Sequence, residues 1–266
     1  MTHRLARLLR QGLSTLTLTL GTLLGAVAFV YPFFAPQGGA EHSFMAHSAD
    51  APLTFLLLLL LCLLVVIANL ETQQMNSKIM AVLGILVAIN AALRLIPGPA
   101  GFTAMLFLPI LCGYSYGADF GFLLGALSML VSAIITGGMG PWLPYQMLSA
   151  GWIGMASAWL PSLRRFGRVE VVLLSVWGAL LGLVFGAIMN LWFWPYIVDV
   201  GRSGMYWQPG TRLLETLGRY ATFYVATSLW WDIGRAVGNL LLILLFGAPI
   251  LQLLRRFHKR FQFVAE

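Results

Sequence analysis

Asp232 and Arg235 stand three residues apart in an otherwise apolar run, with Ser228 before them and Asn239 after. Spacings of 4, 3 and 4 put these four side chains on one face of a helix. An acid and a base at i, i+3 can pair, which lowers the cost of holding either charge away from water. Such a pair either braces one helix against another or offers charge to a polar solute, and the spacing alone leaves both readings open. A second stripe precedes it: Gly182, Gly186, Asn190 and Trp194, each four residues from the last. Glycines on a shared face let helices touch or leave room for a ligand, and a carboxamide in an apolar segment needs partners.

Other polar groups recur at helical spacing in neighbouring runs. Arg94 follows Asn90 by one turn; Gly121, Gly125, Ser128 and Ser132 share a face; so do Gln146, Ser149, Ile153, Gly154 and Ser157. Between the last two sets lies Gly137-Gly138-Met139-Gly140-Pro141-Trp142-Leu143-Pro144-Tyr145-Gln146-Met147. Pro141 and Pro144 fix the backbone and withhold two donors, while the glycines allow sharp reversal. This stiff, aromatic turn is expected to form the lid or wall of a pocket. Arg94, Gln146, Asn190, Asp232 and Arg235 would be its polar anchors, and Trp142, Tyr145 and Trp194 its aromatic walls. Apolar walls with a few polar anchors are the usual geometry of a small-molecule site. Trp192, beside Asn190, reads as a belt residue at the membrane interface.

Catalysis is poorly supplied. The chain has no G-x-x-x-x-G-K-[ST] phosphate loop, no H-E-x-x-H and no Asp-rich metal–diphosphate cluster. No catalytic residue, metal or cofactor is therefore expected. His42 and His47 fall in 35–50 without carboxylate or cysteine companions at ligand spacing, and read as residues of a solvated external loop. Cys62 and Cys112 sit alone in apolar runs and read as small buried hydrophobes.

The elements that must position these groups are membrane helices. The 266 residues are 59% hydrophobic and 9% charged, with mean hydropathy +0.85. A soluble domain carries about a quarter charged residues. The chain is therefore read as an all-α, polytopic protein of the cell membrane, and its net charge of +7 implies no nucleic-acid partner. A crossing takes roughly 20 apolar residues. Eight runs qualify as candidates: 13–34, 53–70, 79–96, 103–116, 120–135, 147–160, 171–194 and 223–254, of which the fourth to sixth are short. The first could be a signal peptide ending at Ala26-Val27-Ala28, but its apolar run continues to Phe34 and reads better as an anchor. Eight crossings put both termini on one side. That side then holds eleven Lys and Arg residues and the other four, which places both termini in the cytoplasm.

Gly84, Ala88 and Ala92 form a further stripe with four-residue spacing. Small residues in that pattern let another helix approach closely, either within the bundle or from a partner membrane protein. From about Lys78 to Arg260 the chain resembles the substrate-specific S component of energy-coupling factor (ECF) vitamin transporters. The resemblance rests on the Gly84/Ala88/Ala92 ridge and on the 137–147 turn. It rests also on Met189-Asn190-Leu191-Trp192-Phe193-Trp194-Pro195 taken with Thr227-Ser228-Leu229-Trp230-Trp231-Asp232-Ile233-Gly234-Arg235. Within the family it is most similar to the branch associated with cobalamin.

The resemblance implies a six-helix core over 78–266, preceded by two extra transmembrane helices in 1–77. It implies a non-catalytic subunit that captures a vitamin, cobalamin or a related corrinoid, in an outward pocket. It further implies that Gly84, Ala88 and Ala92 dock a transmembrane coupling subunit, which works with two ATPases. Two other readings stand beside it. One is a membrane-embedded enzyme acting on a lipid or isoprenoid, with Asp232 as acid or base. The other is a structural scaffold of the envelope.

Overall fold

A computed structural model describes residues 2–34, 47–71, 75–197 and 204–261. Among them are nine α-helices: α1 (Thr2–Val30), α2 (Ala51–Glu71), α3 (Ser77–Leu95), α4 (Phe107–Tyr116), α5 (Ala118–Thr136), α6 (Leu143–Ser157), α7 (Arg168–Phe193), α8 (Leu213–Thr227) and α9 (Leu229–Phe261). Six of these, α1, α2, α3, α5, α7 and α9, are long and apolar enough to cross a membrane.

Eight transmembrane helices are expected from hydropathy; nine helices are found among the described residues, and α4 and α6, at 10 and 15 residues, are too short to count among the six that can cross. The run 223–254 is not one span. The chain breaks at Ser228, where φ is −129° and the N–H closes α8 on the Tyr224 carbonyl. Phe223 is the buried residue of α8, whose Leu213 and Leu214 are exposed and whose Glu215 pairs with Arg219 one turn on. An amphipathic helix of this kind has mixed composition, so a search for continuous apolar runs passes over it.

The centre of the bundle is α4, α5 and α6. The first and last are short, at 10 and 15 residues, yet most of their residues are buried. Close backbone contact makes this possible. A Cβ on Gly113 or Gly121 would land on the Gly154 carbonyl, and one on Gly125 would land on the Ala150 carbonyl. The small-residue face of α5 is thus spent on α6. α3 packs on α5, while α9 lies along α7 and reaches α4. The α1–α2 hairpin leans on α6, with Gly25 against Trp152 and Leu148, and Phe29 edge-on to Tyr145 at 4.9 Å between ring centres.

The two stripes singled out by spacing face each other. Ser228 donates to Asn190 Oδ1 at 2.9 Å, and Gly186 lies against the Asp232 carboxylate. Gly182 meets the Ala236 backbone, and Asn239 Nδ2 donates to the Gly178 carbonyl at 3.3 Å. These contacts make an antiparallel zipper in which each small residue of α7 admits a bulkier partner from α9.

Candidate functional site

α5 ends at Thr136, and Gly137 turns the chain with φ +65°, a left-handed conformation that suits glycine. The reversal is shorter than 137–147. α6 already begins at Leu143, so Pro144, Tyr145, Gln146 and Met147 are helical. Pro144 is accommodated because N–H groups in a first turn have no partner within the helix. Trp142 caps the start of α6, and its ring stands edge-on to Trp192 of α7 at 6.5 Å.

Arg94, in the last turn of α3, reaches across this end of the bundle. Its Nη1 donates to Ser132 Oγ and its Nη2 to Gln146 Oε1, both at 3.1 Å. One guanidinium therefore ties α3, α5 and α6 together. Among the described residues it has no acidic partner. Two buried donors on α7, Asn190 Nδ2 and Trp192 Nε1, also lack a protein partner. Asn190 accepts from Ser228 on its other atom. Unpaired buried donors are uncommon and call for a ligand or water.

Asp232 and Arg235 pair within α9, and the guanidinium lies over the Phe185 ring at 5.2 Å. Trp194 is 1% exposed, donates to the Met205 carbonyl at 3.1 Å and packs against Tyr220 of α8. The structure thus brings Arg94 together with Gln146, and Trp142 together with Trp192. Asn190, Asp232 and Arg235 lie along the α7–α9 zipper, while Trp194 turns toward α8.

Two readings are corrected here. Trp192 is no belt residue: it is 8% exposed and contacts Trp142, Tyr145 and His47 inside the protein. His47 is no solvated loop residue, being 2% exposed. Its Nδ1 lies 2.9 Å from Asp50 Oδ2 and 2.7 Å from the Tyr145 hydroxyl, which also donates to Asp50. Tyr196 stands against its ring at 5.0 Å, and Tyr31 reaches both Asp50 and Tyr196. Aromatic rings and a carboxylate surround His47, while its buried Nε2 has no hydrogen-bond partner among the described residues. His42 lies outside the described residues. Beside this cluster, a hollow of about 250 Å³ separates Ser48, Pro52 and Phe55 from Met139, Pro141 and Pro144.

Burial pushes the Asp50 carboxyl up, but hydrogen bonds from His47 and Tyr145 outweigh it and hold the group below its ordinary value. A carboxyl depressed in the folded state adds stability above the ordinary carboxylate range and loses it as pH falls through the depressed value. Tyr145→Phe is expected to cost about 1–2 kcal/mol, because Asp50 and His47 both lose a partner. The measurement is Tm against pH: the variant starts lower and loses less between neutral and strongly acid pH than the parent.

Cys62 and Cys112 are both buried free thiols. Among the described residues no group of three His, Cys, Asp or Glu side chains is placed to hold a metal ion.

Helices of this length and composition make the chain a multi-pass integral membrane protein with polar groups gathered at one end of its bundle. The family described as ECF transporter, substrate-specific component, matches residues 78–247, more than half of the chain, and the chain belongs to that family. It is a transporter subunit and not an enzyme, which sets aside the reading of Asp232 as an acid or base. Membership implies a small-molecule substrate and association with a coupling and ATPase module. No curated protein and no solved structure matches the chain.

Proposed function

We propose that the chain is the vitamin-capturing subunit of an ECF-type importer, with cobalamin or a related corrinoid as cargo. The observation that carries this reading is Arg94: a half-buried cation held by two neutral acceptors, at the bundle end that also holds Trp142, Trp192 and open donors. Arg94, Gln146 and Asn190 suit the carboxamide side chains of a corrinoid, and Trp142 suits its broad apolar faces. Tyr145 and Trp194 support the walls from behind. Asp232 and Arg235 brace α7 against α9 and so hold Asn190 in place.

The excess of basic residues at the opposite end supports an outward-facing site and cytoplasmic termini. The core is residues 78–266, with the two helices of 1–77 clipped to it through His47, Asp50 and Tyr145. Gly84, Ala88 and Ala92 lie on an exposed face of α3, and nothing comes within 4 Å of a Cβ placed on Gly84. Such a face favours docking of the coupling subunit, which would act with two ATPases, over internal packing.

The test is a melting curve and visible spectrum of the purified protein against a vitamin panel. Cobalamin is expected to raise Tm by several degrees and to co-purify as a coloured species. If no vitamin shifts the melt, the reading fails. In the same assay Ala88→Leu should keep the shift while losing co-purification with the coupling subunit; loss of both would argue against a separate docking face. If Trp142→Ala and Asn190→Ala both leave uptake intact, the scaffold reading is favoured instead.

A further inference from the structure

The far end of α7 from Trp192 carries polar groups that solute capture does not use. Glu170, in the first turn of α7, is 2% exposed, pairs with Arg255 of α9 and accepts from the Tyr114 hydroxyl at 2.6 Å. That arrangement neutralises Arg255 and ties α4, α7 and α9 together. Arg164 and Arg168 differ. Both are exposed, and neither has an acidic partner among the described residues. With Gln252 and the mutually neutralised Glu170–Arg255 pair they edge a cleft of about 560 Å³ between α7 and α9, and the cleft wall then turns apolar at Val172, Leu244 and Ala248. Val172 and Leu244 are 51% and 42% exposed, on surface that a bilayer would cover with acyl chains.

Two unneutralised guanidiniums and an amide above an open hydrocarbon wall suit a molecule with an anionic head and an apolar tail. Guanidinium matches phosphate in a bidentate fashion, and basic pockets between transmembrane helices favour anionic lipid heads. A free phosphate would satisfy the arginines but leave the apolar wall unused. A zwitterionic head would bring its own cation to a site already positive. From this we propose that the α7–α9 cleft binds the phosphate head of an anionic phospholipid, with one acyl chain lying along Val172 and Leu244. Arg164 and Arg168 hold the head, and Gln252 accepts or donates at its polar edge. Occupancy keeps this end of the bundle at headgroup level. The assignment does not depend on which solute the other end captures.

The experiment uses the full chain in detergent, read by native mass spectrometry and by melting, with dioleoyl phosphatidylglycerol, dioleoyl phosphatidylcholine and inorganic phosphate as separate probes. The parent protein should retain one phosphatidylglycerol and melt several degrees higher with it, while phosphatidylcholine and phosphate do neither. Arg164→Gln/Arg168→Gln should weaken retention at least tenfold while leaving the lipid-free Tm unchanged. Ala248→Trp, which fills the apolar wall without altering charge, should also weaken it. Equal retention of both lipids, undiminished phosphatidylglycerol retention in both variants, or full protection by phosphate alone would each overturn the assignment.

Discussion

Gly154→Ala is expected to destabilise the protein by about 3 kcal/mol, even though alanine is the better helix former. The added Cβ would land on the Gly121 carbonyl, which is backbone and cannot swing aside. α5 and α6 would have to separate, and both carry acceptors of the Arg94 guanidinium, Ser132 on one and Gln146 on the other. Packing and site are therefore lost together. Gly84→Ala supplies the contrast, since its Cβ meets nothing within 4 Å and α3 is helical there. That change is expected to be neutral or to stabilise by about 0.5–1 kcal/mol. Melting of both variants in one detergent checks the pair. If Gly154→Ala melts with the parent, the close α5–α6 contact is wrong.

Side-chain spacing made much of this legible, and the reason is geometric. Ser228, Asp232, Arg235 and Asn239 form a stripe because a helix returns to the same face every three to four residues, whatever surrounds it. Gly182, Gly186 and Asn190 do so for the same reason. Their meeting is a different matter: periodicity assigns a face but does not name the helix it touches. Hydropathy placed a helix in each of the eight expected runs, including α4, whose ten residues are too few to span alone. It passed over α8, where polar and apolar residues alternate around the helix.

The buried state of His47 was illegible for a related reason. The His47–Asp50 pair is local, but Tyr145 lies 98 positions away and Trp192 further still. In sequence, a histidine between apolar runs resembles a solvated loop residue unless its distant partners are known. The family resemblance reached further than spacing did for the core, and the match over 78–247 agrees with it. It offered nothing on the hairpin, because the residues that clip α1 and α2 to the core lie partly outside that range.

Asp232→Ala is expected to cost about 3–5 kcal/mol, the largest loss for any single side chain on the α7–α9 seam. Removing the carboxylate leaves the Arg235 guanidinium, with only 19% of its side chain exposed, facing the Phe185 ring and no counter-charge. It also opens a void against Gly186, which has no side chain to fill it. Asp232→Asn/Arg235→Gln removes both charges while keeping shape and hydrogen-bonding capacity, and is expected to recover all but about 1 kcal/mol. The single and double variants with Arg235→Gln form a cycle whose interaction energy measures the pair directly. Binding separates the two roles that spacing left open. Ser228–Asn190 and Asn239–Gly178 lie on either side of the pair along the same seam, which supports the proposed role of a brace. The double variant should therefore keep the vitamin-induced melting shift that the parent shows. Recovered stability with a lost shift would instead put the Arg235 guanidinium in contact with the solute.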